Sequence, residues 1–152
     1  MTGTKMTHVP FRGSGEALPA LLSGDVDVSF ENMPTVLPHI KSGKLRALAV
    51  TSAEPSPYLP GVEPLSKIGA DMGLGDFVTT AWFGLIGDDS LPDDAVKTLQ
   101  TALDKVLDDQ SFKDFVAQIG GETASEEGDA FRDYVAKDVE RWQRVASQAE
   151  LK

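Results

Sequence analysis

The chain has 152 residues, of which 41% are hydrophobic and 25% are charged, values ordinary for a folded protein of one domain or two small lobes. Its formal net charge is −10, so phosphate backbones and anionic lipid would repel it and we expect no nucleic-acid partner. Cysteine is absent, which excludes disulfides, Cys-ligated zinc and thiol nucleophiles. No apolar run is long enough to span a bilayer, and we expect no export signal in a chain that begins MTGTKMTHVP.

The first third of the chain predicts alternating strands and helices. Apolar or alternating segments of strand length are separated by segments that carry helix start and stop signals. Examples are Ser23-Gly24 after one helix and Pro34 at the start of the next. Right-handed crossovers then give a small parallel sheet, in which ligands bind at the carboxyl ends of the strands. In chain order the predicted elements are a strand at 6–11, a helix at 17–22, a strand at 26–30, a helix at 33–43 and a strand at 45–51.

The remainder predicts a connector, one more strand and three helices. Residues 52–75 are rich in proline and glycine and contain at most a short helix near 64–68. Apolar residues at spacings of three and four predict helices with one apolar face each, the last of them capped by Ser125 with Glu126 and Glu127 in its first turn. The predicted elements are a strand at 77–86 and helices carrying apolar stripes at 96–106, 112–119 and 131–145.

The turn Gly13-Ser14-Gly15 is the strongest candidate for chemistry. A Gly-rich turn that feeds a helix leaves backbone N–H groups beside the positive end of the helix dipole, which favours anions. A serine hydrolase is only a remote alternative. Ser14, His8 and His39 are available for it, but the G-x-S-x-G elbow is absent. No dinucleotide fingerprint or P-loop occurs, and the acids near residue 27 lack a metal-binding loop signature. We therefore expect no catalytic residue, no metal and no cofactor.

Non-covalent binding of a small carboxylate is the chemistry that these residues favour. Phe11 and Arg12 would flank the ligand, and the amides of residues 13–17 with the Ser14 hydroxyl would donate to it. Glu31 and Asn32 would contribute from the neighbouring turn. Glu16, in the first turn of the helix, would repel a carboxylate unless it points to solvent or pairs with a ligand amine.

Several long motifs, in order, resemble the extracytoplasmic solute receptors of tripartite tricarboxylate transporters, the Bug family. The motifs are HVPFRGSGEAL, LLSGDVDVSFENMPTVLPHIKSGKLRALAVTSAEPSPYLPGVEPLSKIG and TTAWFGLIG. The resemblance runs from His8 to about Gly87 and more loosely through the last helices. It implies a periplasmic, non-enzymatic receptor that binds small carboxylates and works with membrane permease subunits.

The resemblance also implies which residues face the ligand. The second-lobe loop that holds a ligand carboxylate is matched by Phe11, Gly13, Ser14 and Ala17. The turn after the next strand is matched by Glu31, Asn32 and Pro34, and the segment that returns to the first lobe is matched by Trp82, Phe83 and Gly84. Arg12 stands where Lys is usual, Glu16 where Pro is common and Glu31 where Asp is common. The predicted ligand-binding residues are Phe11, Arg12, Gly13, Ser14, Gly15, Ala17, Glu31, Asn32 and Pro34.

The expected fold class is α/β: a periplasmic-binding-protein-like (Venus-flytrap) second lobe with a small parallel sheet, plus a strand and C-terminal helices that belong to an incomplete first lobe. We expect residues 4–75 to form the ligand-binding lobe and 76–152 the returning strand and helices. Relative to the family, the N-terminal lobe and signal peptide are expected to be absent. Large apolar stripes do not stay exposed, so a homodimer is expected. The alternative function is a truncated remnant that dimerises and binds no solute.

Overall fold

The computed structural model describes residues 2–124 and 127–148. Contacts divide the chain into two units, Met1–Ile86 with Ala117–Gly121 and Gly87–Val116 with Glu122–Lys152. The expected lobe boundary near residue 75 stays a prediction. No helix in the described ranges is both long enough and apolar enough to cross a membrane. The helices in chain order are α1 (Ser14–Ser23), α2 (Met33–Lys41), α3 (Leu65–Ile68), α4 (Asp93–Asp108), α5 (Gln110–Gln118) and α6 (Gly128–Gln148), with a 3₁₀ helix at Ala70–Met72.

Helix α1 confirms the helix predicted at 17–22 and begins earlier, at Ser14. It ends at Gly24, which has a φ of 83° and donates its N–H to the Ala20 carbonyl. Only glycine adopts this left-handed conformation without a steric penalty, which explains the stop. Pro19 lies inside the helix and removes one backbone hydrogen bond without ending it.

Helix α2 confirms the helix predicted at 33–43. Asn32 is extended just before it, and Pro34 lies in its first turn, where a missing N–H costs nothing. After its last turn Gly43 takes a φ of 73°. The next N–H, that of Lys44, then reaches back to the His39 carbonyl at 2.9 Å, which satisfies an acceptor at the helix end.

The core of the first unit lies between α2 and the segments that follow it. Leu37 is 2% exposed, and Val50 and Leu59 are each 8% exposed. Partly buried apolar side chains pack against these three: Met33, Ile40, Ala47, Tyr58 and Val62.

The segment Ala117–Gly121 belongs to the same unit and packs on this core. The Tyr58 hydroxyl donates to the Gly121 carbonyl at 2.9 Å. Gly120 has a φ of +83°, and a Cβ built there would lie 3.1 Å from Leu37 Cδ2 and would overlap Met33 Cγ. The chain therefore passes α2 closely enough that only a glycine fits at residue 120.

The predicted parallel sheet is not confirmed. Across the ranges that the structure describes, no strand forms at 6–11, 26–30, 45–51 or 77–86. Phe30 is 68% exposed and Phe83 is 89% exposed, so these apolar segments are not enclosed. Apolar alternation shows that a segment can be extended, but a strand also needs a neighbour in register to accept its N–H groups. The described chain is therefore helices joined by segments without a strand ladder.

The predicted strand at 45–51 makes one isolated parallel bridge, between Val50 and Pro64. Val50 donates to the Glu63 carbonyl at 3.2 Å, and Leu65 donates to the Val50 carbonyl at 2.8 Å. Thr79 adds one bond to the Thr51 carbonyl at 2.9 Å. The bridge leads directly into α3, which confirms the short helix predicted near 64–68.

The second unit is helical, as predicted. Helix α4 covers the stripe at 96–106, with Asp93 and Asp94 in its first turn, where acids suit the helix dipole. Helix α5 covers most of 112–119 and α6 covers 131–145. The predicted cap at Ser125, with Glu126, lies outside the described residues.

Candidate functional site

The candidate site is built on the N-terminus of α1. Glu16 and Ala17 donate their backbone N–H groups to the Gly13 carbonyl at 3.0 and 3.1 Å, which starts the helix. The N–H groups of Ser14 and Gly15 precede this first turn and have no acceptor within the helix. A Cβ built on Gly13 or Gly15 would meet nothing within 4 Å, so the backbone is open to approach. Free N–H groups at the positive end of a helix dipole attract anions.

Ser14 and Glu31, predicted to share a site from separate motifs, are in contact. The Ser14 hydroxyl donates to Glu31 Oε2 at 2.6 Å, and both residues are half-buried. The Ser29 hydroxyl donates to the other carboxylate oxygen, Glu31 Oε1, at 3.3 Å. The Ser14 bond has the short length typical of a hydroxyl donating to an ionised carboxylate. Glu31 is thereby held against the N-terminus of α1.

Glu16 turns back toward the segment before the helix. Its Oε2 accepts the backbone N–H of Arg12 at 3.3 Å. The arrangement resembles a capping box, with the accepting carboxylate three residues after the Gly13 N-cap. Glu16 and Glu31 thus bring two negative charges to this helix end, against the one positive charge of Arg12 on the same loop.

The other predicted residues border this group. Phe11 is 38% exposed and precedes Arg12. Asn32 caps α2 with its backbone, since its carbonyl accepts the Thr35 N–H at 3.0 Å while its side chain makes no capping bond. Pro34 is exposed in the first turn of α2. The two helix starts, of α1 and α2, are therefore linked through the Ser14–Glu31 contact.

Two residues of this region were missed by sequence reasoning. Ser29 could have been found, because residues two apart in an extended segment lie on the same side and Ser29 is two before Glu31. Phe77 could not, because its ring meets that of Phe30 at a centroid distance of 6.3 Å across 47 positions of sequence with no shared motif. In the segment that follows, Trp82 is half-buried and Phe83 is exposed.

The geometry gives no support to a serine hydrolase. A nucleophilic serine needs a base that accepts its proton, usually a histidine. The Ser14 hydroxyl donates to Glu31 instead, while His8 is exposed in the N-terminal segment and His39 lies on α2. In the part of the chain that the structure describes, no group of three or more His, Cys, Asp or Glu side chains could hold a metal ion.

Features of the second unit do not mark a ligand site. A shallow depression of about 410 Å³ is lined by one face of α4, including Lys97 and Lys105. The pKa of Asp88 is lowered by hydrogen bonds from the Ser90 hydroxyl and backbone N–H. These bonds order a loop that leads to α4, so their effect is structural.

Comparison with known proteins identifies a family and several relatives of the chain. Residues 1–151 match the family described as the tripartite tricarboxylate transporter family receptor. Protein BugT of Bordetella pertussis is 31% identical over 151 residues, which cover 99% of this chain and 45% of BugT. A Pseudomonas knackmussii protein from the clcB-clcD intergenic region is 33% identical over 140 residues, which cover 92% of this chain and 81% of that protein.

Solved structures give the same result. R. palustris Rpa4515 with adipate superposes with a TM-score of 0.85 at 29% identity, over 97% of this chain and 48% of that one. MatC (Rpa3494) from Rhodopseudomonas palustris with bound malate superposes with a TM-score of 0.78 at 27% identity, over 90% of this chain and 46% of that one.

The matched family and the solved neighbours are receptors of the periplasmic-binding-protein type rather than enzymes. The chain belongs to the receptor family of tripartite tricarboxylate transporters. The resemblance read from its motifs is thereby confirmed. The chain spans about half the length of BugT and of the two solved neighbours.

Proposed function

We propose that this chain recognises a small carboxylate for a tripartite tricarboxylate transporter, by clamping the solute and not by catalysis. The observation that carries the proposal is the open N-terminus of α1, where the free N–H groups of Ser14 and Gly15 lie beside the Ser14–Glu31 contact. Family membership supports this role, and the adipate and malate held by two solved neighbours support the class of ligand.

The proposed binding mode follows from the donors of this loop. A ligand carboxylate would accept the N–H groups of Ser14 and Gly15, with the Arg12 guanidinium adding positive charge and Phe11 covering one side. Gly13 and Ala17 shape the turn, while Asn32 and Pro34 border the ligand from the start of α2. Closure against a second lobe would then bury the solute.

The proposal extends to the setting of a receptor of this family. The chain would work in the periplasm and hand its solute to the membrane permease subunits of the transporter. Its acidic charge, −10 overall, suits a protein that carries a solute through an aqueous compartment without adhering to anionic lipid.

Isothermal titration of the purified chain with adipate and with malate tests the proposal. The Ser14 hydroxyl fixes the Glu31 carboxylate beside the N–H groups of Ser14 and Gly15. Ser14→Ala removes that hydroxyl and keeps the backbone N–H that the ligand accepts, so we expect it to change the affinity by about 1 kcal/mol, or about fivefold. Ser42→Ala is the matched control, because the Ser42 hydroxyl also makes one bond, to the His39 carbonyl at 3.2 Å, away from the site. Equal affinity in the two variants would show that the Ser14 hydroxyl takes no part in the site, and the absence of saturable binding by the wild-type chain would overturn the proposal.

A second candidate is an interaction module that dimerises and binds no solute. The apolar stripes of the second unit favour it, since Leu99 on α4 is 46% exposed and Trp142 on α6 is 49% exposed. A second copy would cover these stripes and form a homodimer.

Native mass spectrometry of the purified chain separates the two candidates. A dimer that Leu99→Ser dissociates, and that the conservative Thr101→Ser on the same helix leaves intact, supports the module. A monomer at every concentration removes it, and a bound adduct of carboxylate mass favours the receptor.

A further inference from the structure

We draw no further inference here: the strongest candidate, the surface patch formed by the exposed apolar stripes of α4 and α6 in the second unit, carries nothing beyond the homodimer already considered, because nothing in the described part of the chain shows what covers these stripes.

Discussion

Replacing Gly120 by alanine tests the packing of the first unit. Gly120 has a φ of +83°, and a Cβ there would lie 3.1 Å from Leu37 Cδ2 and would overlap Met33 Cγ. The left-handed conformation alone costs an alanine about 1 kcal/mol. Forcing a methyl group into a packed site adds about 1–3 kcal/mol. We therefore expect Gly120→Ala to lower the free energy of unfolding by about 2–4 kcal/mol.

The chain provides a matched control at Gly73. Its φ of +79° is nearly the same, but a Cβ there would meet nothing within 4 Å. Gly73→Ala should therefore show the conformational cost of about 1 kcal/mol without the packing cost.

Urea unfolding of both variants, followed by circular dichroism, measures the difference. We expect a clearly lower midpoint for Gly120→Ala than for Gly73→Ala. If the two variants lose the same stability, residue 120 does not pack on Leu37 and the assignment of Ala117–Gly121 to the first unit is wrong.

Two further predictions concern hydrogen bonds. Tyr58→Phe removes the 2.9 Å bond to the Gly121 carbonyl, and we expect a loss of about 1 kcal/mol in urea unfolding; no loss would show that the bond is not formed in solution. Hydrogen bonds from the Ser111 hydroxyl and the Phe112 N–H lower the pKa of Asp109, so its stabilising effect is present above the ordinary carboxyl range and is lost as the pH falls through the lowered pKa. Helicity should therefore drop on acidification by a step that Asp109→Asn lacks, and identical acid titrations of the two proteins would contradict this capping role.

Helices were predictable here because their signals are local. The start and stop of α2 follow from Pro34 and Gly43, and the length of α4 follows from apolar residues at spacings of three and four. Strands were not predictable to the same degree, because a ladder depends on a neighbour that the segment itself does not encode. The alternation around Phe30 predicted a strand that does not form, and Val50 pairs only in an isolated bridge.

The candidate site was also predictable only where its signals are local in the sequence. The turn before α1 was predictable from Gly13-Ser14-Gly15, since glycines between an apolar segment and a helix allow a tight turn and a close approach to the backbone. The use of the Ser14 proton was not predictable, because it depends on a contact with Glu31 across 17 positions. Glu16 was foreseen as an obstacle to an anion, and its bond to the Arg12 N–H shows where its carboxylate lies.

The pairing of Ser14 with Glu31 also connects the family role to this chain. Arg12, Glu16 and Glu31 are the loop residues at which the chain departs from the family pattern, and all three take part at the same helix end. The proposed receptor role follows from the residues that match the family pattern.

Backbone amide chemical shifts measure directly whether a carboxylate binds at the N-terminus of α1. The ¹⁵N-labelled chain is titrated with glutamate, adipate and malate, and the backbone N–H signals are followed residue by residue. We expect saturable shifts at Ser14 and Gly15, with smaller ones at Glu31 and Asn32. Unmoved signals at Ser14 and Gly15, with shifts elsewhere or nowhere, would contradict it.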